Sequence, residues 1–329
     1  MCIKAILTPL GLLFCFVNFL RRKLYKTGIL RQTSLPLEVI SVGNLTMGGS
    51  GKTPFTIFLA KKLEEQNIKT AIVLRGYKRK KKGVILVEKD TNYEEVGEEA
   101  LLCKKSIKGE VVVAEKREKA INKLSSLPDV IILDDGFEHL RVKRDIDIIL
   151  VDSNNEKDLR PFPLGKLREP ISSIKDASLI VLTKGRKIPD KIEKFHKEVP
   201  LIFADFEWKE NFLPFNLRSD EIYNKKFLLL LGIGNPSHFI RMAEEKKIKI
   251  MHKVIFPDHA YPDDRKVKKV LCDFKEFKCD FILTSEKDFV KWKHIIEIKD
   301  KLIYPELFLK IDDKEKILDK IILTALKNE

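Results

Sequence analysis

The chain lacks the marks of several function classes. None of Cys2, Cys15, Cys103, Cys272 and Cys279 forms a Cys-x-x-Cys pair or a Cys/His cluster at zinc spacing. That argues against a zinc or dithiol centre and fits a reducing, cytoplasmic setting. No fixed-period repeat is visible, which excludes a solenoid or propeller, and there is no long low-complexity segment. The guanine signature Asn-Lys-x-Asp is absent, which counts against a GTPase. No acidic residue precedes Glu38, whereas Lys4, Arg21, Arg22, Lys23, Lys26 and Arg31 do.

The apolar run Ala5 to Leu20 is interrupted by Thr8, Pro9 and Asn18. As a helix it would measure roughly 24 Å, short of the ~30 Å hydrocarbon core. A signal peptide needs its basic residues before the apolar run, and here the cluster follows it. The remaining readings are a buried core helix, a span of a thin bilayer, or an interfacial anchor. The anchor, basic side to the cytoplasm, is preferred, giving an expected segment 1–30 that is peripheral or monotopic on an anionic membrane.

What is present is a soluble-type body. Of 329 residues, 44% are hydrophobic and 34% charged, and the length suggests about two domains. The formal charge of +14 favours anionic partners. A second basic cluster, Arg75 with Lys78 to Lys82, is either a solvated face or an anion-facing one. Only Tyr77 interleaves it, so stacking platforms are few and no nucleic-acid partner is expected.

Strand-like runs alternate with helical ones. Glu38–Val42, Thr70–Leu74, Val84–Val87, Val111–Ala114, Val130–Leu133, Ile146–Val151 and Ser178–Leu182 read as strands. Thr53–Glu65, Glu94–Lys105 and Glu115–Leu124 read as helices. The expectation is a P-loop NTPase-like α/β fold: a mainly parallel sheet with helices on both faces. The aromatic stretch Phe203–Asn224 reads as an irregular linker, after which the alternation restarts at Phe227–Leu231. The expected domains are therefore 31–203 and a smaller α/β unit, 204–329, which closes the cleft.

The chemistry begins at Ser41-Val-Gly-Asn-Leu-Thr-Met-Gly-Gly-Ser-Gly-Lys-Thr-Pro54. A phosphate loop reads G-x-x-x-x-G-K-[ST], and Gly51, Lys52 and Thr53 match its end, with Thr46 at the first glycine position. Gly48, Gly49, Ser50 and Gly51 let backbone N–H groups turn around a phosphate at a helix N-terminus. Lys52 reaches the β- and γ-phosphates, and the Thr53 hydroxyl suits Mg²⁺. The apolar run Val130–Leu133 ends in Asp134-Asp135-Gly136, which supplies the metal carboxylates. Asp145, Asp147 and Asp152 read as structural loop acids. On these residues alone the chain is an ATP-using protein, either a phosphotransferase or a membrane-associated ATPase.

The motifs together resemble the tetraacyldisaccharide 4'-kinase (lipid A 4'-kinase) family. They are Val42 to Thr53, Leu74-Arg-Gly-Tyr77, Asp134-Asp-Gly-Phe-Glu-His139, Pro163-Leu-Gly-Lys-Leu-Arg-Glu-Pro170, Gly232-Ile-Gly-Asn-Pro236, Phe256-Pro-Asp-His259 and Thr284-Ser-Glu-Lys-Asp288. The resemblance covers nearly the whole chain. It implies phosphorylation of the 4'-hydroxyl of tetraacyldisaccharide 1-phosphate by Mg·ATP, giving lipid IVA, by a monomer at the cytoplasmic face of the bacterial inner membrane. It implies Arg117, Glu138, His139 and Arg168 as nucleotide-site residues and Glu169 beside the metal. The family commonly has Gln where Glu138 stands. It implies Glu98 as catalytic base, where the family has Asp, with His259 as its partner across the cleft and Lys52 as the phosphate lysine. His252 and His294 match no motif and read as surface or structural.

Overall fold

The computed structural model describes residues 2–154, 156–313 and 315–326. The N-terminal half carries β1 (Glu38–Asn44), β2 (Thr70–Leu74), β3 (Ile85–Leu86), β4 (Glu110–Val113), β5 (Val130–Asp134), β6 (Ile146–Asp152), β7 (Leu179–Thr183) and β8 (Leu201–Leu213). Then come β9 (Leu217–Arg218), β10 (Lys226–Leu231), β11 (Lys249–Ile255), β12 (Phe281–Thr284) and β13 (Leu302–Asp312). They form one sheet in the order β11-β10-β12-β13-β8-β7-β6-β1-β5-β2-β4-β3, with β9 on β8. Pairing is parallel except at β13/β8, β3/β4 and β8/β9. The expected mainly parallel α/β sheet is present.

The helices are α1 (Cys2–Lys26), α2 (Lys52–Glu65), α3 (Tyr93–Val96), α4 (Glu98–Ser106), α5 (Asp190–His196), α6 (Ser219–Ile222), α7 (Pro236–Glu245), α8 (Asp264–Glu276), α9 (Glu286–Trp292) and α10 (Ile317–Leu326). The segment read as a helix over Glu115–Leu124 is a 3₁₀ helix at Arg117–Lys123.

The parallel strands β2, β5 and β7 are wholly buried runs rich in Val, Ile and Leu, as a sheet covered on both faces requires. Their registers set Val42 opposite Asp134, Asn44 opposite Leu150 and Asp152 opposite Thr183. The carboxyl ends of β1, β5, β6 and β7 therefore meet along one edge, where ligands of open α/β sheets bind.

Phe203–Asn224 is not an irregular linker. Its first part belongs to β8, at 13 residues the longest strand described, paired with β7 on one side and β13 on the other. Ile202, Ala204, Phe206 and Trp208 point inward, while Asp205, Glu207 and Lys209 alternate with them. A half-exposed strand shows period-two alternation and no apolar run, so it does not stand out as the buried strands do. The β8–β13 ribbon makes the sheet continuous between the two halves.

α1 is a 25-residue helix, about 37 Å long. Among the described residues no helix is long and apolar enough to cross a membrane. One side of α1 is tied to the body. Phe14 packs on Phe162 at 6.1 Å between ring centroids, and Asn18 Nδ2 donates to the Arg168 carbonyl at 3.1 Å. The buried Arg22 donates to Glu169 at 2.6 Å and to the Phe137 carbonyl at 2.9 Å, with its guanidinium 4.1 Å over the Phe137 ring. The other side exposes Leu12, Leu13, Phe16, Val17, Phe19 and Leu20, each at least 44% accessible.

Candidate active site

The glycine loop leaves β1 at Asn44, whose Nδ2 donates to Ser50 Oγ at 3.0 Å. Gly51, at φ +88°, starts α2 in the left-handed region. A Cβ there would stand 2.0 Å from the Phe206 ring on β8, so only glycine fits. Around Gly49 a Cβ would meet nothing within 4 Å, so that backbone faces open space. The loop is braced from β7: Thr183 Oγ1 donates to the Ser50 carbonyl at 3.1 Å, and Lys184 Nζ donates to the Gly49 carbonyl while pairing with Asp152 at 2.8 Å. Beside the loop lies a cleft of about 530 Å³. Gly48, Asn154, Lys184 and the start of α7 at Asn235–His238 are among its walls.

At the end of β5, Asp134 is buried and accepts hydrogen bonds from Thr53 Oγ1 at 2.9 Å, Thr56 Oγ1 at 3.0 Å and the Asp135 N–H at 3.1 Å. Burial, then Glu99 and Asp135, push its pKa up to about 6. Asp135, at φ +53°, meets Lys52 Nζ at 3.3 Å and Arg168 Nη1 at 3.4 Å. Burial would raise its carboxyl too, but Lys52, Arg168 and Arg117 hold it down at about 2. Arg117 is buried and donates to the Asp135 carbonyl oxygen at 2.8 Å.

The Thr53–Asp134 donor set is all oxygen, and its charge has no full counter-cation. Both properties fit Mg²⁺. Among the described residues no group of three or more His, Cys, Asp or Glu forms a protein-only metal cage. Magnesium is commonly held by one or two carboxylates plus substrate phosphates, so a cage is not required.

The other expected nucleotide-site residues divide. Glu138 joins Asp135 through Arg168, at 3.2 Å from Arg168 Nη1. His139 stands behind them, 3.5 Å from Glu118, and burial and Arg117 lower its pKa to about 4. Glu169 accepts from Arg21 at 2.9 Å and from Arg22 at 2.6 Å, one arginine on each oxygen, and so fastens α1 to the body. In the basic cluster, Arg79, Lys80 and Lys81 pair with Glu115, Glu94 and Glu95.

A second carboxylate cluster faces the first. Gly97 at φ +89° turns the chain so that Glu98 begins α4. Glu98 is only 2% exposed, and its Oε1 lies 2.5 Å from Nδ1 of His259, which comes from the other half of the molecule. Lys287 Nζ is 3.6 Å and Lys291 Nζ 4.0 Å from the same oxygen. Burial would raise the Glu98 pKa; the His259 hydrogen bond and the two lysines outweigh it and hold it at about 2. Tyr77 packs edge-on to the His259 ring at 5.0 Å. Glu98 and His259, 161 positions apart in the chain, thus meet as expected.

Several contributors escaped the sequence reading. Lys184 directly follows a strand that was read, yet its target is a loop carbonyl 135 positions earlier. Lys287 lies inside the Thr284–Asp288 motif, which marked the place but no role. Asp288 closes the same motif, whereas its fully buried partner at 2.8 Å, Lys291, left no local signal.

Comparison with known proteins agrees with this geometry. The family model described as tetraacyldisaccharide-1-P 4'-kinase matches residues 3–327. A tetraacyldisaccharide 4'-kinase from Aquifex aeolicus is 34% identical over 305 residues, 88% of this chain and 90% of the relative. One from Flavobacterium psychrophilum is 32% identical over 345 residues, 99% of this chain and 98% of the relative. A crystal structure of the "apo" form of the Aquifex aeolicus enzyme LpxK in complex with ATP superposes with a TM-score of 0.78 at 30% identity, covering 98% of this chain and 99% of that one. The chain belongs to the tetraacyldisaccharide 4'-kinase family.

Proposed function

We infer that the protein transfers the γ-phosphoryl group of ATP to the 4'-hydroxyl of tetraacyldisaccharide 1-phosphate, the 4'-kinase step of lipid A biosynthesis that yields lipid IVA. One observation carries the reading: a phosphate-loop lysine sits at Asp135, and Glu99, next to the buried Glu98–His259 pair, is close enough to Asp134 to raise its pKa. The lysine is what a phosphoryl donor needs and the pair what a hydroxyl acceptor needs.

ATP phosphates seat on the Gly49–Gly51 backbone, and Lys52 exchanges Asp135 for the β- and γ-oxygens. The adenosine occupies the cleft between the loop and α7. Thr53 and Asp134, with Asp135 adjoining, would hold Mg²⁺, which would offset the phosphate charge. Arg117 and Arg168 add positive charge around Asp135, and Glu138 orients Arg168. Glu98 takes the proton of the acceptor hydroxyl. The O–H bond breaks, the new O–P bond forms, the bond from the γ-phosphorus to the bridging oxygen breaks, and ADP leaves.

The two halves, 31–203 and 204–329, act as domains around this cleft, in a monomer. The exposed apolar side of α1 rests in the cytoplasmic leaflet of the inner membrane, its basic end at the anionic headgroups. Because Asn18 and Arg22 hold Arg168 and Glu169 from the same helix, a substrate whose acyl chains stay in the bilayer meets the site at a fixed height.

Labelled γ-phosphate supplied as ATP, with disaccharide 1-phosphate in detergent, tests this. The label is expected on the lipid. Release of the label as inorganic phosphate at the same rate with or without lipid would favour a membrane ATPase and overturn the kinase reading.

A further inference from the structure

α9 offers two lysines one helical turn apart to the Glu98–His259 pair, and the pair's contacts fall unevenly. His259, Lys287 and Lys291 all approach Glu98 Oε1. Glu98 Oε2 is left to receive a proton. Lys287 also lies 3.1 Å from Glu99, 3.6 Å from Asp258 Oδ1 and 3.5 Å from His259 Nε2. Asp258 Oδ2 stands 3.6 Å from that same Nε2.

His259 Nε2 therefore has two rival neighbours. Facing the Asp258 carboxylate it would carry a proton and donate. Facing the Lys287 ammonium, which keeps its charge among Glu98, Glu99 and Asp258, it must present its lone pair. Nδ1 then carries the ring proton and donates to Glu98 Oε1. Lys291 stands one turn deeper, paired with Asp288, whose Oδ2 accepts from the Gly232 N–H at 2.9 Å. The His259 N–H in turn donates to the Gly232 carbonyl at 3.2 Å. A closed circuit runs Glu98, Lys291, Asp288, Gly232, His259 and back to Glu98. Tyr77 packs against the His259 ring, and the phenols of Tyr93 and Tyr261 are pushed up by burial first, with Glu98 and Glu94 adding to it.

We propose that Lys287, backed by Lys291, is a positioning residue that fixes the His259 tautomer and turns Glu98 Oε2 to the acceptor hydroxyl, so that the base is complete only when α9 seats on α4. The proposal rests on the reading of Glu98 as the proton acceptor. Lysine at this place would otherwise serve as a plain ion pair, replaceable at little cost.

The test is Lys287→Met beside Lys287→Arg, both partly exposed changes that spare the buried Lys291–Asp288 pair. Histidine ¹⁵N spectra at pH 7 read the tautomer without any turnover. In the unchanged protein His259 Nε2 is expected to be bare. In Lys287→Met Nε2 is expected to take up a second ring proton from solvent, beside the one on Nδ1 that Glu98 holds, and to donate to Asp258. The same variant is expected to lose about ten- to a hundredfold in kcat, less than the roughly 10²–10⁴ of removing the base itself, with ATP affinity held within about twofold. Lys287→Arg is expected to restore the bare Nε2 and most of kcat. A protonated Nε2 in the unchanged protein, the same tautomer in Lys287→Met, or equal losses of kcat and ATP affinity each overturns the proposal. Transfer to the disaccharide by the unchanged protein tests the kinase reading separately, and the spectra decide on Lys287 in either case.

Discussion

Asp134 and Glu98 are the same kind of group in the same kind of place. Each is a carboxylate at most 3% exposed, each closes or opens a secondary-structure element, and in each burial acts to raise the pKa. They end on opposite sides of the ordinary carboxylate range, near 6 for Asp134 and near 2 for Glu98. The difference lies in what stands next to them. Asp134 has hydroxyls, an N–H and two further acids around it, with Lys52 spent mainly on Asp135. Glu98 has a histidine and two ammonium groups on one oxygen. A buried carboxylate short of positive charge is a place for a cation; one surrounded by a histidine and two ammonium groups stays ionised, ready to accept the hydrogen bond of a hydroxyl.

Substitutions that act on one cluster and not the other sharpen this contrast. The largest effect is expected at Lys52. Lys52→Ala should lower phosphoryl transfer at least about a hundredfold, as for other groups that stabilise transferring phosphate. It should leave the Glu98–His259 contact intact. Near-normal turnover in a steady-state assay would remove the phosphate-loop assignment.

A smaller effect of opposite sign is expected at Asp134. Its folded pKa lies above the ordinary value. At pH below that ordinary value the group is neutral in both folded and unfolded chains and carries no penalty. As pH rises towards about 6 the unfolded chain ionises first, so stability falls, and the penalty is complete above that. Asp134→Asn should therefore stabilise the metal-free protein by on the order of 1–2 kcal/mol at pH 8, and by nothing at pH 4. Urea unfolding at the two pH values checks it; equal effects at both would mean that Asp134 is not strained by charge. Glu98 has the reverse sign: its contribution is present above the ordinary carboxylate value and is lost as pH falls towards about 2.

The two clusters also differ in how far they can be read from sequence. The phosphate loop and Asp134–Asp135 are local: glycines, a lysine and an apolar run ending in acids state their chemistry within a dozen residues. Glu98 is a helix-opening acid among many, and only the family resemblance singled it out. Its partners come from α9 and from the loop before α8, and spacing along the chain says nothing about them. Glu169 was placed beside the metal by the resemblance alone; its contact to an arginine 147 positions earlier, on α1, is one that no local pattern announces. The strand β8 was hidden by its own alternation, yet its Phe206 is what limits position 51 to glycine. Buried parallel strands announce themselves by composition, whereas braces and latches exist only once the sheet has formed.

The claim that the molecule divides its work between a cation-seeking carboxylate and a proton-handling one is tested most directly at Glu98. The measurement is single-turnover transfer of labelled γ-phosphate to disaccharide 1-phosphate by Glu98→Gln, with the affinity for a non-hydrolysable ATP analogue taken on the same preparation. The account predicts transfer slowed by about 10²–10⁴, the usual range for a positioned base, with analogue affinity unchanged within about twofold. Transfer at the original rate, or a loss of analogue affinity as large as the loss of transfer, would contradict it.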